Sequence, residues 1–371
     1  MSLKIVIAPD SFKGSLTAIE AARAVQEGFS TIFESASFSL FPMSDGGEGT
    51  LSSFKYVLDR PLTTIRVKNA YGYQKEAALL INGEDAFIES ASAVGITDFT
   101  ADQLNPLYST SYGVGELIKA ALDAGCSRIT IGLGGSAVND GGAGMLEALG
   151  ATFKVDGQFH GPVRLKDLPL LQAVDLATLD HRIASTEIVI ASDVNNPLTG
   201  SQGATAVFGP QKGVPSEDIH VIDTWMHHFA SLVSESYIHI SGSGAAGGLG
   251  FALLSIGAKF EQGAKVIGRA LNLPEAIRHA DLVITGEGKS DNQTLYGKVP
   301  HYVAELAAAE KKPVILISGG IDPDAEKLTE CFTASFSITH SPCTLDYAIE
   351  HAHDLTVKRS REIAKLINMR L

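Results

Sequence analysis

Residues 128–144 read RITIGLGGSAVNDGGAG: a short apolar run, then a turn with six glycines around the pair Asn139–Asp140. An apolar run that stops at a glycine turn and leads into a helical pattern is how a buried parallel strand feeds a crossover helix. Glycine also lets backbone approach another group closely, so a turn this rich in it marks a crowded place or an anion site. The same grammar recurs outward from it. KIVIAPD (4–10) reads as a buried strand stopped by Pro9, and Thr17 with Glu20 has capping-box spacing ahead of a helix carrying Ala22, Val25 and Phe29 on one face. SFSLFPM (37–43), EIVIASD (187–193), LVITGEG (282–288), PVILISGG (313–320) and TASFSI (333–338) are further strands. Between them TTIRVKNA, KEAALLI and AFIESA alternate polar and apolar residues, as an antiparallel or mixed sheet does. Helices are expected over about 114–124, closed by Gly125, and over 301–311 and 345–369.

The two chain ends therefore share simple strand–helix alternation while the middle is mixed. The expected fold class is α/β with two domains: a Rossmann-like parallel-sheet domain from 1–64 and 285–371, and an inserted mixed α/β domain over 65–284, with the active site in the cleft between them. GGAGMLEALGA (141–151) and GGLGFALLSIGA (247–258) echo one another, and both loops could face one site.

Composition narrows the function. With 371 residues, 45% of them hydrophobic and 19% charged, the chain has the balance of a folded protein, and its formal charge of −13 disfavours nucleic acid and anionic membrane as partners. No run is long enough to span a membrane, and the start enters a strand at once, so no signal peptide is expected. Cys126, Cys331 and Cys343 have neither disulfide nor zinc spacing, which suits a reducing cytoplasm.

Several strands end in turns that carry an acid: Asp10, Asp45, Asp140, Asp193, and Glu287 with Asp291. Ligands of open α/β sheets sit beyond the carboxyl ends of strands. Carboxylates gathered with glycines and with Lys13, Lys212, Lys289 and Lys298 suit phosphoryl transfer, where Mg²⁺ offsets the repulsion between carboxylate and phosphate. Other motifs fit less well. Gly288-Lys289-Ser290 ends like a Walker A loop, but Val283 stands where its first glycine belongs. Val138 likewise breaks a nucleophile elbow at GGSAV. Gly132, Gly134 and Ala137 match a dinucleotide fingerprint, with Asp156 near the distance for a ribose contact, so a nicotinamide-dependent oxidoreductase stays as an alternative.

Taken in order, APDSFKGSL (8–16), MSDGGEGT (43–50), GLGGSAVNDGGAG, SDVNNPL (192–198), FGPQKG (208–213), GSGAAGGLG (242–250), and GEGKSDNQT with GKVP closely resemble the type-1 glycerate kinase family. Val138, Ser243 and Lys289 depart from its usual residues, as does SGGIDPD near residue 320. The resemblance implies ATP-dependent phosphorylation of D-glycerate with Mg²⁺, mostly to 2-phosphoglycerate, with 3-phosphoglycerate as the alternative product. It implies D-glycerate and ATP as the small-molecule partners, and a homodimer is compatible with it. Within that reading Asp193 is the expected base, with Asp291 as its rival, and Asp45, Asp140 and Glu287 are the expected Mg²⁺ ligands. Lys13, Ser15 and Lys212 would hold anionic oxygens, and amides around Gly134, Gly135, Ser136, Asn139, Gly247 and Gly248 would meet a phosphate or the substrate carboxylate. Which loop takes which anion stays open.

Overall fold

In the computed structural model, which describes residues 2–155 and 161–369, the KIVI run is a strand buried at three of its four positions. Asp156, the proposed ribose contact, lies outside the described residues. The chain divides into two compact units. One holds Met1–Asp45, Ser52–Asp59 and Gln262–Leu371, and the other holds Gly46–Leu51 and Arg60–Glu261.

The first unit is built on a five-stranded sheet ordered Ala334–Ser337, Val314–Ser318, Leu282–Thr285, Lys4–Ile7, Ser37–Leu40, and every neighbouring pair is parallel. Because Leu282–Thr285 pairs with Lys4–Ile7, this sheet begins earlier in the chain than residue 285. Its three inner strands, KIVI, LVIT and VILIS, are near-continuous apolar runs because the middle of a parallel sheet is covered on both faces. The Thr17–Glu20 capping box is present, with Thr17 N–H donating to Glu20 at 2.8 Å, and it starts the helix Ala18–Ser30. At Gly28 that helix touches Val357 and Ser360 of the helix Ala352–Asn368, where a Cβ would sit 2.6 Å from the Ser360 Cβ. Ile5, Ile7, Val25, Phe29, Ile284, Ile317 and Ile363 form the core beneath them.

From Lys4–Ile7 the chain moves to one edge of the sheet, and from Leu282–Thr285 onward it moves to the other. The strand order therefore reverses between these two, and their following loops flank the position where open α/β sheets bind ligands.

The second unit carries a six-stranded mixed sheet. Lys259–Glu261, Glu187–Ala191, Arg128–Gly132 and Asp85–Glu89 are parallel, while Gln74–Asn82 and Thr63–Lys68 continue it antiparallel. This is the mixed character that the polar alternation after Thr63 predicts. The expected helix over 345–369 is instead two, Leu345–Glu350 and Ala352–Asn368, broken at His351 where ψ is 16°. Among the described residues no helix is long and apolar enough to cross a membrane.

Candidate active site

The first unit brings the loops after Lys4–Ile7 and Leu282–Thr285 together. The first is tight: Gly14 is left-handed (φ 83°), and Ser15 donates from both its amide and its hydroxyl to the Phe12 carbonyl, leaving Lys13 exposed. Gly288 allows the second loop to press on it, since a Cβ there would lie 3.0 Å from the Lys13 nitrogen. Asp10, Lys13, Ser15, Asp45, Glu287 and Asp291 all line one cavity of about 1140 Å³.

Its electrostatics are dominated by crowded carboxylates. Burial, then the charges of Asp45 and Glu287, push the Asp10 carboxyl up to about 7, although the Ser11 N–H at 2.6 Å and Lys13 pull it down. Glu287 is also raised by burial, against hydroxyl donors Thr294 at 2.7 Å and Ser290 at 2.9 Å and the charge of Lys298. Asp291 caps the short helix Asn292–Tyr296 by accepting from Gln293 N–H at 2.8 Å. Lys289 is exposed at the cavity's edge, 3.5 Å from Asp322.

Oxygen donors with excess negative charge fit a hard divalent cation. Among the described residues no three His, Cys, Asp or Glu side chains are arranged to hold a metal alone. Mg²⁺ usually takes one or two carboxylates and completes its shell with water and substrate phosphate.

A folded-state carboxyl raised above its unfolded value of 3.8 weakens the fold as pH rises from about 4 to 7, because the unfolded chain releases its proton first. Asp10→Asn keeps an acceptor for Ser11 and removes the charge. It should raise Tm by several degrees at pH 8 and leave it unchanged at pH 4 in thermal melts. An equal shift at both pH values would show that the charge is not the cause.

The second unit gathers the glycine loops. Glu89, Gly132 and Ala191 stand in register at the carboxyl ends of three parallel strands. The Gly46–Leu51 segment lies across this row: a Cβ on Gly132 would strike the Gly46 carbonyl, one on Gly46 would strike that of Ala191, and Leu51 N–H donates to Glu89 at 2.6 Å. Burial pushes Glu89 up to about 6. Asp193 is half-buried two residues past the same row.

Asp140, an expected Mg²⁺ ligand, lies among hydrogen-bond donors. It is wholly buried, and its carboxylate accepts from Ser111 N–H (2.7 Å), Ser111 hydroxyl (2.8 Å), Gly142 N–H (3.1 Å) and Gly144 N–H (3.1 Å). Its oxygens hold the turn into the helix Ala143–Ala148, whose start well after Gly132 also disagrees with a tight dinucleotide turn. Lys212, expected to hold an anion, is 2% exposed and donates to the Val138 carbonyl at 2.6 Å, with Ser136 Oγ at 3.4 Å. Burial lowers its amine to about 7, with Asp140 opposing. Asn139 is buried and donates to Thr205 at 3.0 Å.

Gly247 and Gly248, left-handed at φ 70° and 92°, pack on Val138–Asn139 and on Gly141, and Gly141 N–H donates to the Gly247 carbonyl at 3.0 Å. Thus the two echoing loops touch, and most of their glycines approach protein rather than open space. Ser136, Asn139, Gly247, Gly248 and Lys212 form the buried support, and Gly134–Gly135 is the accessible tip. No local sequence motif marks Glu89 or the supporting Ser111 and Thr205, and Asp10, named among the acidic turns, carries no assigned role in the sequence analysis.

The fold, with an acid-rich cavity beyond the carboxyl ends of a parallel sheet, defines an α/β class whose function the relatives supply. The glycerate kinase family model matches residues 5–368, and this chain belongs to that family. It is 41% identical to the glycerate kinase of Bacillus subtilis (strain 168), over 99% of this chain and 98% of that one. It is also 41% identical to the glycerate 2-kinase of Escherichia coli (strain K12), over 98% and 97%. A crystal structure assigned as glycerate kinase 2 of Salmonella typhimurium LT2 superposes with a TM-score of 0.85 at 40% identity, covering 99% of each chain.

Proposed function

We propose that this phosphotransferase uses ATP to phosphorylate the 2-hydroxyl of D-glycerate, giving 2-phosphoglycerate and ADP in the cytoplasm. The observation that carries the reading is the cavity at the strand-order reversal, where Asp10, Asp45 and Glu287 meet Lys13 and Lys298. The relative named glycerate 2-kinase supports the position of transfer. The glycerate hydroxyl oxygen forms the new bond to the γ-phosphorus as the bond to the β,γ-bridging oxygen breaks. Asp193 orients that hydroxyl and takes its proton. Lys13 and Ser15 hold anionic oxygens, and the Gly134–Gly135 tip offers backbone amides. Asp45 and Glu287, beside Asp10, would hold Mg²⁺, which when bound supplies neutralisation of phosphate charge.

The test is ADP release from D-glycerate, ATP and Mg²⁺, with the product identified by NMR. Equal amounts of ADP and 2-phosphoglycerate are expected. The 3-phosphate would replace the product assignment, and no ADP release with any small hydroxy acid would sink the kinase activity.

A further inference from the structure

The 1140 Å³ cavity lies wholly within the first unit and has two chemically different groups of lining residues. One comprises Asp10, Asp45, Glu287, Lys13 and Lys298. The other comprises Ile338, Pro342, Leu345, Ala348 and Ile349. Leu345 and Ile349 are one turn apart on the helix Leu345–Glu350, and they remain 74% and 37% exposed. Large apolar side chains left open along a cavity wall suit a ligand with an apolar face.

Size separates the two substrates. Pockets for drug-sized ligands measure about 300–1,000 Å³, so this cavity far exceeds a three-carbon acid. D-Glycerate also has no apolar face to lay on Leu345 and Ile349. A nucleoside triphosphate has both features: a flat base that gains from covering aliphatic surface, and a polyanionic tail that needs lysines and a cation beside carboxylates.

We infer that this cavity binds the nucleotide, with its base on the Leu345–Ile349 wall and its phosphates toward Lys13 and Lys298, and that D-glycerate is held elsewhere. The inference rests on the kinase reading for the identity of the two substrates. It answers which ligand the first unit takes, a matter the sequence leaves open.

Cys343 supplies the test without any substitution, because it lines the same cavity and is exposed, whereas Cys126 is buried and Cys331 half-buried. The rate of Cys343 alkylation, followed by peptide mass spectrometry, should fall about tenfold when Mg-ADP is present at about ten times its Kd. D-Glycerate at saturation should leave the rate unchanged. Protection by D-glycerate alone, or an unchanged rate with bound Mg-ADP, would overturn the assignment.

Leu345→Asp provides a second measurement, since an exposed side chain can be changed without unfolding the protein. It should raise the KM for ATP about tenfold or more, by loss of apolar cover, while the KM for D-glycerate and Tm stay as in the unsubstituted protein. A rise confined to the D-glycerate KM would reverse the assignment. Failure of the activity itself reads differently: nucleotide protection without phosphate transfer to D-glycerate sinks the proposed reaction and keeps the nucleotide site, whereas transfer without protection does the opposite.

Discussion

Asp193→Asn is expected to lower kcat by about 10²–10⁴-fold, the usual loss when a positioned acid or base is removed. The side chain is half-buried past the end of Glu187–Ala191, a strand buried at four of its five positions, so its backbone position is set by a rigid element. Asparagine keeps the shape and can still accept a hydrogen bond, but it cannot take the hydroxyl proton. Tm should therefore hold, and the KM for D-glycerate should change far less than kcat. Asp291→Asn is the control, because the cap that Asp291 forms on Asn292–Tyr296 is one asparagine makes equally well. Its kcat should stay near normal. Steady-state kinetics on both variants decide the matter: a near-normal kcat for Asp193→Asn removes it from the mechanism, and a large loss for Asp291→Asn moves the role there.

What could be read from sequence alone divides along physical lines. Parallel strands covered on both faces need unbroken apolar runs, so KIVI, EIVIA and VILIS announce themselves. The Thr17–Glu20 cap is equally local. The break at His351 carries no glycine or proline, and nothing in FEQGAK marks Gln262 as the point where the chain rejoins the first unit. The same limit governs the site. The turns PDSF and NDGG look alike as acidic turns after apolar strands, yet Asp10 lines a cavity among like charges while Asp140 is sealed among donors. That difference comes from Ser111 and from neighbouring carboxylates far away in sequence. Lys212 shows it too: a lysine in a glycine turn suggests an anion contact, but its partner is the Val138 carbonyl, on a loop distant in the chain.

Asp140→Asn should destabilise the fold rather than weaken metal binding. Three of the four donors converge on Oδ2 and one on Oδ1. An asparagine oxygen at the Oδ2 position would keep three bonds without their charge assistance, and its NH₂ would then face the Gly142 N–H, donor against donor. The opposite flip sets NH₂ against the Ser111 and Gly144 N–H groups. Losing charge-assisted bonds and leaving a buried donor unmet costs roughly 2–5 kcal/mol. For a chain of this size that lowers Tm by roughly 3–6 °C. The loss should also reach Ser136 and Val138 through Lys212, whose buried amine is held toward its charged form by Asp140. Below its own Tm the variant should need no more Mg²⁺ than the unsubstituted protein for half-maximal rate. An unchanged Tm with a steep rise in Mg²⁺ requirement would return Asp140 to the metal-binding set, and the glycines of residues 132–144 would then serve a ligand rather than the packing of one loop on another.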